Sequence, residues 1–198
     1  GPSELLIVAD DTALPAFIAS DLLSQAEHGT DSQVILVTTS KVLIDEVENE
    51  IQKQLQVLPR KAIAEKAIAN SKLIFVENDK IALELIDEYG PEHFIICTKD
   101  EDFYVNNIGN AGSVFIGNYT PESAGDYASG TNHTLPTNGY AKNYSGVNLD
   151  SFTKSMTFQK ISEKGIQNIG KAIEVMADAE GLQAHKNAVT LRLNDLKI

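Results

Sequence analysis

Short apolar runs alternate with longer segments in which apolar residues recur every three or four positions. Leu5-Leu6-Ile7-Val8-Ala9 reads as a buried strand ending at Asp10-Asp11. Asp11 and Thr12 are candidate helix caps, and Pro15 falls in the first turn, where proline is tolerated. The helix that follows carries Leu14, Phe17, Ile18, Leu22 and Leu23 on one face and stops near Gly29. Gln33 to Thr38 is a second strand. Val42, Leu43, Val47, Ile51 and Leu55 form a second helical stripe that ends before Pro59. A third helix is predicted from about Ala62 to Asn70, a strand over Leu73 to Val76, and a helix over Lys80 to Tyr89. Phe94 to Cys97 is a strand, Glu101 to Asn107 a short helix, and Ser113 to Ile116 a strand. Five apolar runs separated by helices predict an α/β fold, with a mostly parallel sheet covered by helices on both faces and right-handed crossovers.

The character changes at Gly117. Residues 117–148 are rich in Gly, Asn, Thr, Ser and Tyr and show no periodicity, and a loop of that length inside a domain is usually functional. A short strand (Thr157 to Ile161), a helix (Ser162 to Ala179) and a helical piece around His185 are expected after it. The division is an α/β domain over 1–149 and a C-terminal helical appendage over 150–198, too small for a large core of its own.

Composition narrows the function. Acidic residues outnumber basic ones 28 to 16, for a formal charge of −12. That surface disfavours phosphate backbones and anionic membranes as partners. No apolar run approaches the roughly 20 residues of a spanning helix. Gly1-Pro2-Ser3-Glu4 does not read as a signal peptide, so the sequons at Asn118, Asn132 and Asn143 are expected to be chance occurrences. The lone Cys97 excludes an internal disulfide and a Cys-rich zinc site, suits a reducing cytoplasm, and sits in an apolar run as core.

The candidate chemistry lies in four polar segments, each with a histidine. Gln25 and His28 share a helix face before Gly29, a pair that reads either as metal donors or as a polar last turn. Glu92 and His93 follow Gly90-Pro91, and such a pair can divide water activation from proton transfer, or simply close a turn. Asp126 and His133 lie in the long loop, where Asp126 could ligate a metal or serve turn chemistry. Glu180 and His185 flank Gly181 in the tail, the setting of an ordinary solvated helix end. No G-x-G-x-x-G follows a strand, and there is neither a Walker loop nor a G-x-S-x-G elbow.

Taken together, these segments resemble histidinol dehydrogenases. The likeness is carried by Gly1-Pro2-Ser3-Glu4, by Asp21-Leu22-Leu23-Ser24-Gln25-Ala26-Glu27-His28-Gly29 with Asp31-Ser32-Gln33-Val34, and by Tyr89-Gly90-Pro91-Glu92-His93. Pro121 to His133 and Ala184-His185-Lys186-Asn187-Ala188-Val189 carry it further. It runs the length of the chain but covers only the C-terminal part of a considerably longer family protein, so a fragment, inactive alone, is expected.

The resemblance implies an incomplete Rossmann-like fold and a zinc- and NAD-dependent oxidation of L-histidinol through L-histidinal to L-histidine. It implies zinc ligands Gln25, His28, Asp126 and His185, with Glu92 and His93 as the acid–base pair. Ser3, His133 and Glu180 would join Gln25, His28, His93, Asp126 and His185 around the substrate. NAD contacts are expected in the N-terminal part of the family protein. Glu180 and His185 would reach a partner subunit's site, so a homodimer is expected. The alternatives are a metal- or ligand-binding α/β domain without redox chemistry and an α/β domain that only dimerises.

Overall fold

A computed structural model describes residues 2–196. Its centre is strand β1 (Glu4–Ala9), buried at all six positions. Such a strand needs neighbours on both edges and cover on both faces. β2 (Gln33–Thr38) and β4 (His93–Cys97) flank it, and β3 (Lys72–Phe75) and β5 (Ser113–Ile116) form the edges, giving the order β3-β2-β1-β4-β5. All four pairings are parallel. The strand order reverses between β1 and β4.

Alternation along the strands makes two cores. Leu5, Ile7, Ala9, Ile95 and Cys97 face α1 (Pro15–Ala26), α2 (Lys41–Leu55) and α3 (Lys61–Ala69). Leu6, Val8, Phe94 and Ile96 face α4 (Asp79–Tyr89) and α5 (Glu101–Asn107), where Ala82, Ile86 and Tyr104 meet them. Cys97 is buried in the first core, and burial pushes its thiol up to about 12.

Helix signals explain most boundaries. Ser40, Asn78 and Asp100 accept the backbone N–H three residues on and start α2, α4 and α5. Gly90, at φ +63°, ends α4 in the left-handed conformation that glycine adopts without strain. The start of α1 differs from expectation. Leu14 takes the cap position with no side-chain bond, while the Asp10 carboxylate accepts from the Thr12 and Lys99 backbone N–H groups. Asp10 therefore ties the ends of β1 and β4 together, and Asp11 and Thr12 cap nothing.

Two other expectations are corrected. The segment 117–148 is not wholly irregular, since it holds α6 (Glu122–Tyr127) and a 3-10 turn at Tyr140–Lys142. Pro121 opens α6 with extended backbone, and six residues are too few to show a helical stripe. The strand at Thr157–Ile161 does not form. The segment pairs with no other strand, and its apolar Phe158 and Ile161 are exposed.

Residues divide into two compact units, 1–153 and 154–198. The second holds α7 (Glu163–Ala179) and α8 (Gln183–Asp195), packed on each other. Ser162 caps α7 through the Gly165 N–H, and Gly170 lets the Leu193 side chain approach closely. No described helix is long and apolar enough to cross a membrane.

Candidate active site

The chemistry-bearing side chains of the first unit gather at the amino ends of β1 and β4. In open parallel sheets ligands ordinarily bind beyond the carboxyl ends. Here the first residue of β1, Glu4, the first of β4, His93, and the last turn of α1 meet at the opposite end. The carbonyl-rich end of a helix favours a cation, and His28 follows the α1 terminus by two residues.

Glu4 is the hub. Its N–H donates to Glu92 Oε2 at 2.9 Å, and its Oε1 accepts the N–H of Asn138 at 2.8 Å, which fastens the long loop to the sheet. Its carbonyl oxygen lies 3.2 Å from Gln25 Nε2 and 3.0 Å from His93 Nδ1. A carbonyl only accepts, so both nitrogens present hydrogens to it. The 3.2 Å contact between Gln25 Nε2 and His93 Nδ1 is then two donors side by side on one acceptor. This assigns the neutral His93 ring its hydrogen on Nδ1 and leaves Nε2 as a lone pair.

That Nε2 is buried and has no hydrogen-bond partner. Glu122 Oε1 faces it at 3.9 Å, and Glu92 Oε2 lies 3.6 Å from Nδ1 on the other side. Burial opposes a charge on His93. The Glu92 contact, the Glu122 and Glu92 charges and the Glu4 carbonyl together outweigh burial and leave its pKa raised. Glu122, only 2% exposed, is pushed up to about 7 by burial; His93 works against the shift, and the carboxylates of Asp126, Glu92 and Asp21 work with it. Burial also raises Glu4, with the Glu92 charge adding to the shift, and lifts Asp21 to about 6.

His28, Glu122 and Asp126 each place one donor atom within 4.8 Å of the others. Donors around a zinc ion stand about 3–4 Å apart, so a small closure would bring these three onto one ion. His28 is exposed and Asp126 half-exposed, which leaves one side open. Gln25, 1% exposed, spends its Nε2 on Glu4 but has no partner for Oε1. An imidazole, carboxylates and an orphaned amide oxygen, amid crowded buried carboxylates, suit a divalent cation with borderline ligand preference such as zinc.

Backbone packing holds the parts in place. α6 carries Glu122 and Asp126 four residues apart, on one face. Gly125 lets α6 press on Phe115, since a Cβ there would lie 2.7 Å from the ring. Gly112 lies against Glu92 just as closely, with a Cβ position 2.5 Å from the Glu92 carbonyl oxygen.

The structure thus brings together Gln25, Glu92 and His93, and joins His28 with Asp126. Ser3 lies beside Glu4, where its carbonyl accepts the Gln33 N–H. His133 is exposed in the long loop. Glu180 caps the end of α7 and His185 stands in the first turn of α8, both exposed in the second unit. Sequence reasoning assigned no role to Glu4 or Glu122. The four-residue spacing from Glu122 to Asp126 was the available signal for one. Glu4 gave none, because most of its role is played by backbone atoms.

Comparison with known proteins follows the same residues. The family model described as histidinol dehydrogenase matches residues 1–193. A histidinol dehydrogenase of Bacteroides fragilis is 61% identical over 197 residues, which is 100% of this chain and 46% of that protein. The chloroplastic histidinol dehydrogenase of Arabidopsis thaliana is 54% identical over 198 residues, 100% of this chain and 42% of that protein. The crystal structure of histidinol dehydrogenase from Elizabethkingia anophelis superposes with a TM-score of 0.97 at 56% identity, covering 100% of this chain and 46% of that one. The chain spans about half the length of the curated relatives it matches.

Proposed function

The chain belongs to the histidinol dehydrogenase family, and from that premise we propose that it carries the metal-binding and acid–base half of an enzyme oxidising L-histidinol through L-histidinal to L-histidine with two NAD. The observation that carries the reading is the meeting of His93 with buried Glu92 and Glu122, beside the His28–Asp126 donor pair.

Gln25, His28 and Asp126 would hold zinc, with His185 of a second copy as the fourth protein ligand. When bound, zinc supplies a template and Lewis acid for the substrate's nitrogens. The remaining chemistry belongs to the chain's own groups. His93 keeps its Nδ1 hydrogen on the Glu4 carbonyl and offers Nε2 to the substrate hydroxyl. It takes that proton as the carbinol hydrogen leaves as hydride to the first NAD. Glu92 takes a proton from water as the water oxygen adds to the aldehyde carbon. The hydrate then gives its C–H hydride to the second NAD and becomes the acid. One water enters, two hydrides and two protons leave, and a third proton is released as the acid ionises to its carboxylate. No thiol is needed, in keeping with a core Cys97.

Ser3 and His133 line the substrate together with Gln25, His28, His93 and Asp126. Glu180 and His185 serve the site of a second copy, so the enzyme is a homodimer. No glycine-rich dinucleotide loop occurs in the 198 residues, and we assign the NAD contacts to the part of the family protein this chain does not span. The chain by itself is therefore inactive. An unpaired thiol suits a cytoplasmic location.

The test uses the full-length protein. Wild type should hold about one zinc per site and form NADH with histidinol. His28→Ala should lose the metal, whereas His93→Asn and Glu92→Gln should keep it and lose turnover. Zinc retained in His28→Ala would refute the site. Zinc binding in wild type without NADH formation would leave a metal-binding domain without redox chemistry.

A further inference from the structure

Glu122 has no counter-charge adequate to its burial. It is 2% exposed, its Oε2 has no hydrogen-bond partner, and among the described residues no Lys or Arg forms an ion pair with it. The nearest ring nitrogen is His93 Nε2, 3.9 Å from Oε1, which in the neutral tautomer above carries no hydrogen. A buried carboxylate left this way is costly unless something cationic meets it. Its other neighbours are the donor atoms of His28 and Asp126.

Charge balance points the same way. Of the four ligands assigned above, Gln25, His28 and His185 are neutral as donors, and only Asp126 is an anion. A dication would keep one uncompensated charge next to the buried Glu122. We infer that Glu122 is the second anion of this cation centre, neutralising the ion beside Asp126 and carrying part of its affinity. The inference rests on the proposed metal site and adds a residue to it. α6 is the device that makes this possible, presenting both carboxylates from one short helix held against Phe115.

The experiment is a zinc titration against a competing chelator on the full-length protein. It compares wild type, Glu122→Gln and Asp126→Asn, with circular dichroism to check the fold. Loss of a charged neighbour of a metal commonly costs 10–100-fold in affinity, and Glu122→Gln should weaken zinc by about that factor with the fold intact. Affinity within twofold of wild type, while Asp126→Asn loses zinc, overturns the inference and leaves the site standing. A wild type that binds no zinc overturns both. Should Glu122→Gln not fold, cobalt-loaded Glu122→Asp, which keeps the charge one carbon shorter, decides the matter. A shifted visible absorption and a changed cobalt affinity support Glu122, and a spectrum and affinity identical to wild type overturn it.

Discussion

Gln25 and His93 share one acceptor: the Glu4 carbonyl oxygen lies 3.2 Å from Gln25 Nε2 and 3.0 Å from His93 Nδ1. The last turn of α1, the first residue of β1 and the first residue of β4 are thereby locked through a single atom. The lock sets the tautomer of His93 and turns the Gln25 Oε1 away from the backbone. Gln25→Glu would replace the amide donor with a carboxylate oxygen facing that carbonyl. In the zinc-free chain it should destabilise by about 2–3 kcal/mol, the cost of a buried charge with a repelled neighbour. Denaturant midpoints of the two proteins measure this, and an unchanged midpoint would remove the shared acceptor from the account.

Gly125 makes a second prediction. A Cβ at this position would stand 2.7 Å from Phe115 Cε1 and 3.1 Å from Thr131 Oγ1. Gly125→Ala must therefore push α6 off β5, at about 1–3 kcal/mol for an overpacked contact. Because α6 carries Glu122 and Asp126, zinc affinity should fall with stability. A variant whose melting temperature drops while zinc affinity stays the same would show that α6 does not position the donors.

The proposed acid–base pair makes a third. Removing a positioned general base commonly costs about 10²–10⁴ in rate. In the full-length protein His93→Asn should reduce kcat within that range while zinc content remains that of wild type. Glu92→Gln should slow the oxidation of added L-histidinal at least as much as that of L-histidinol, since its assigned work is on water. Steady-state rates with the two substrates separate the roles, and an equal, mild effect of both variants on both substrates would dissolve the division of labour.

What the sequence reveals here follows from what each feature depends on. β1, β2 and β4 are readable because unbroken apolar runs satisfy both faces of a covered parallel sheet. α2 is readable because Leu43, Val47, Ile51 and Leu55 repeat over four turns. α6 is not, since six residues cannot display a period, and its fixing contact is the absence of a side chain at Gly125. The apolar residues Phe158 and Ile161 mislead in the opposite direction. They resemble a strand, but no neighbouring strand takes up their backbone groups. At the site, Gln25, His28, Glu92, His93 and Asp126 stand out as polar groups at element ends. Glu122 does not, because its significance comes from burial, which composition hides.

Cys97 makes a fourth prediction. It is 3% exposed, and burial, with the charges of Asp21, Glu101 and Asp10 adding to it, pushes the thiol up to about 12. The thiolate is the reactive form, so native protein at pH 8 should resist iodoacetamide and react only when denaturant is added. Rapid stoichiometric alkylation of the folded chain would contradict this packing.

Asp21 makes the last. Burial lifts its carboxyl from an ordinary 3.8 to about 6, so the folded state holds a proton that the unfolded state releases. The sign follows from linkage: where the folded state binds more protons, stability falls as pH rises. The contribution is fully present below about pH 4 and is lost as pH climbs through about 6. Asp21→Asn keeps the shape and cannot ionise. In the zinc-free chain the variant should match wild type near pH 4 and exceed it above pH 6. The two-unit interval corresponds to about 3 kcal/mol for a fully buried group, and partial exposure of Asp21 reduces the expected gain to about 1–2 kcal/mol. Urea unfolding of both proteins at pH 4, 5, 6 and 7 reads the difference directly. A constant gap across that range would mean that Asp21 does not titrate between 4 and 6 and that its burial is compensated by another group.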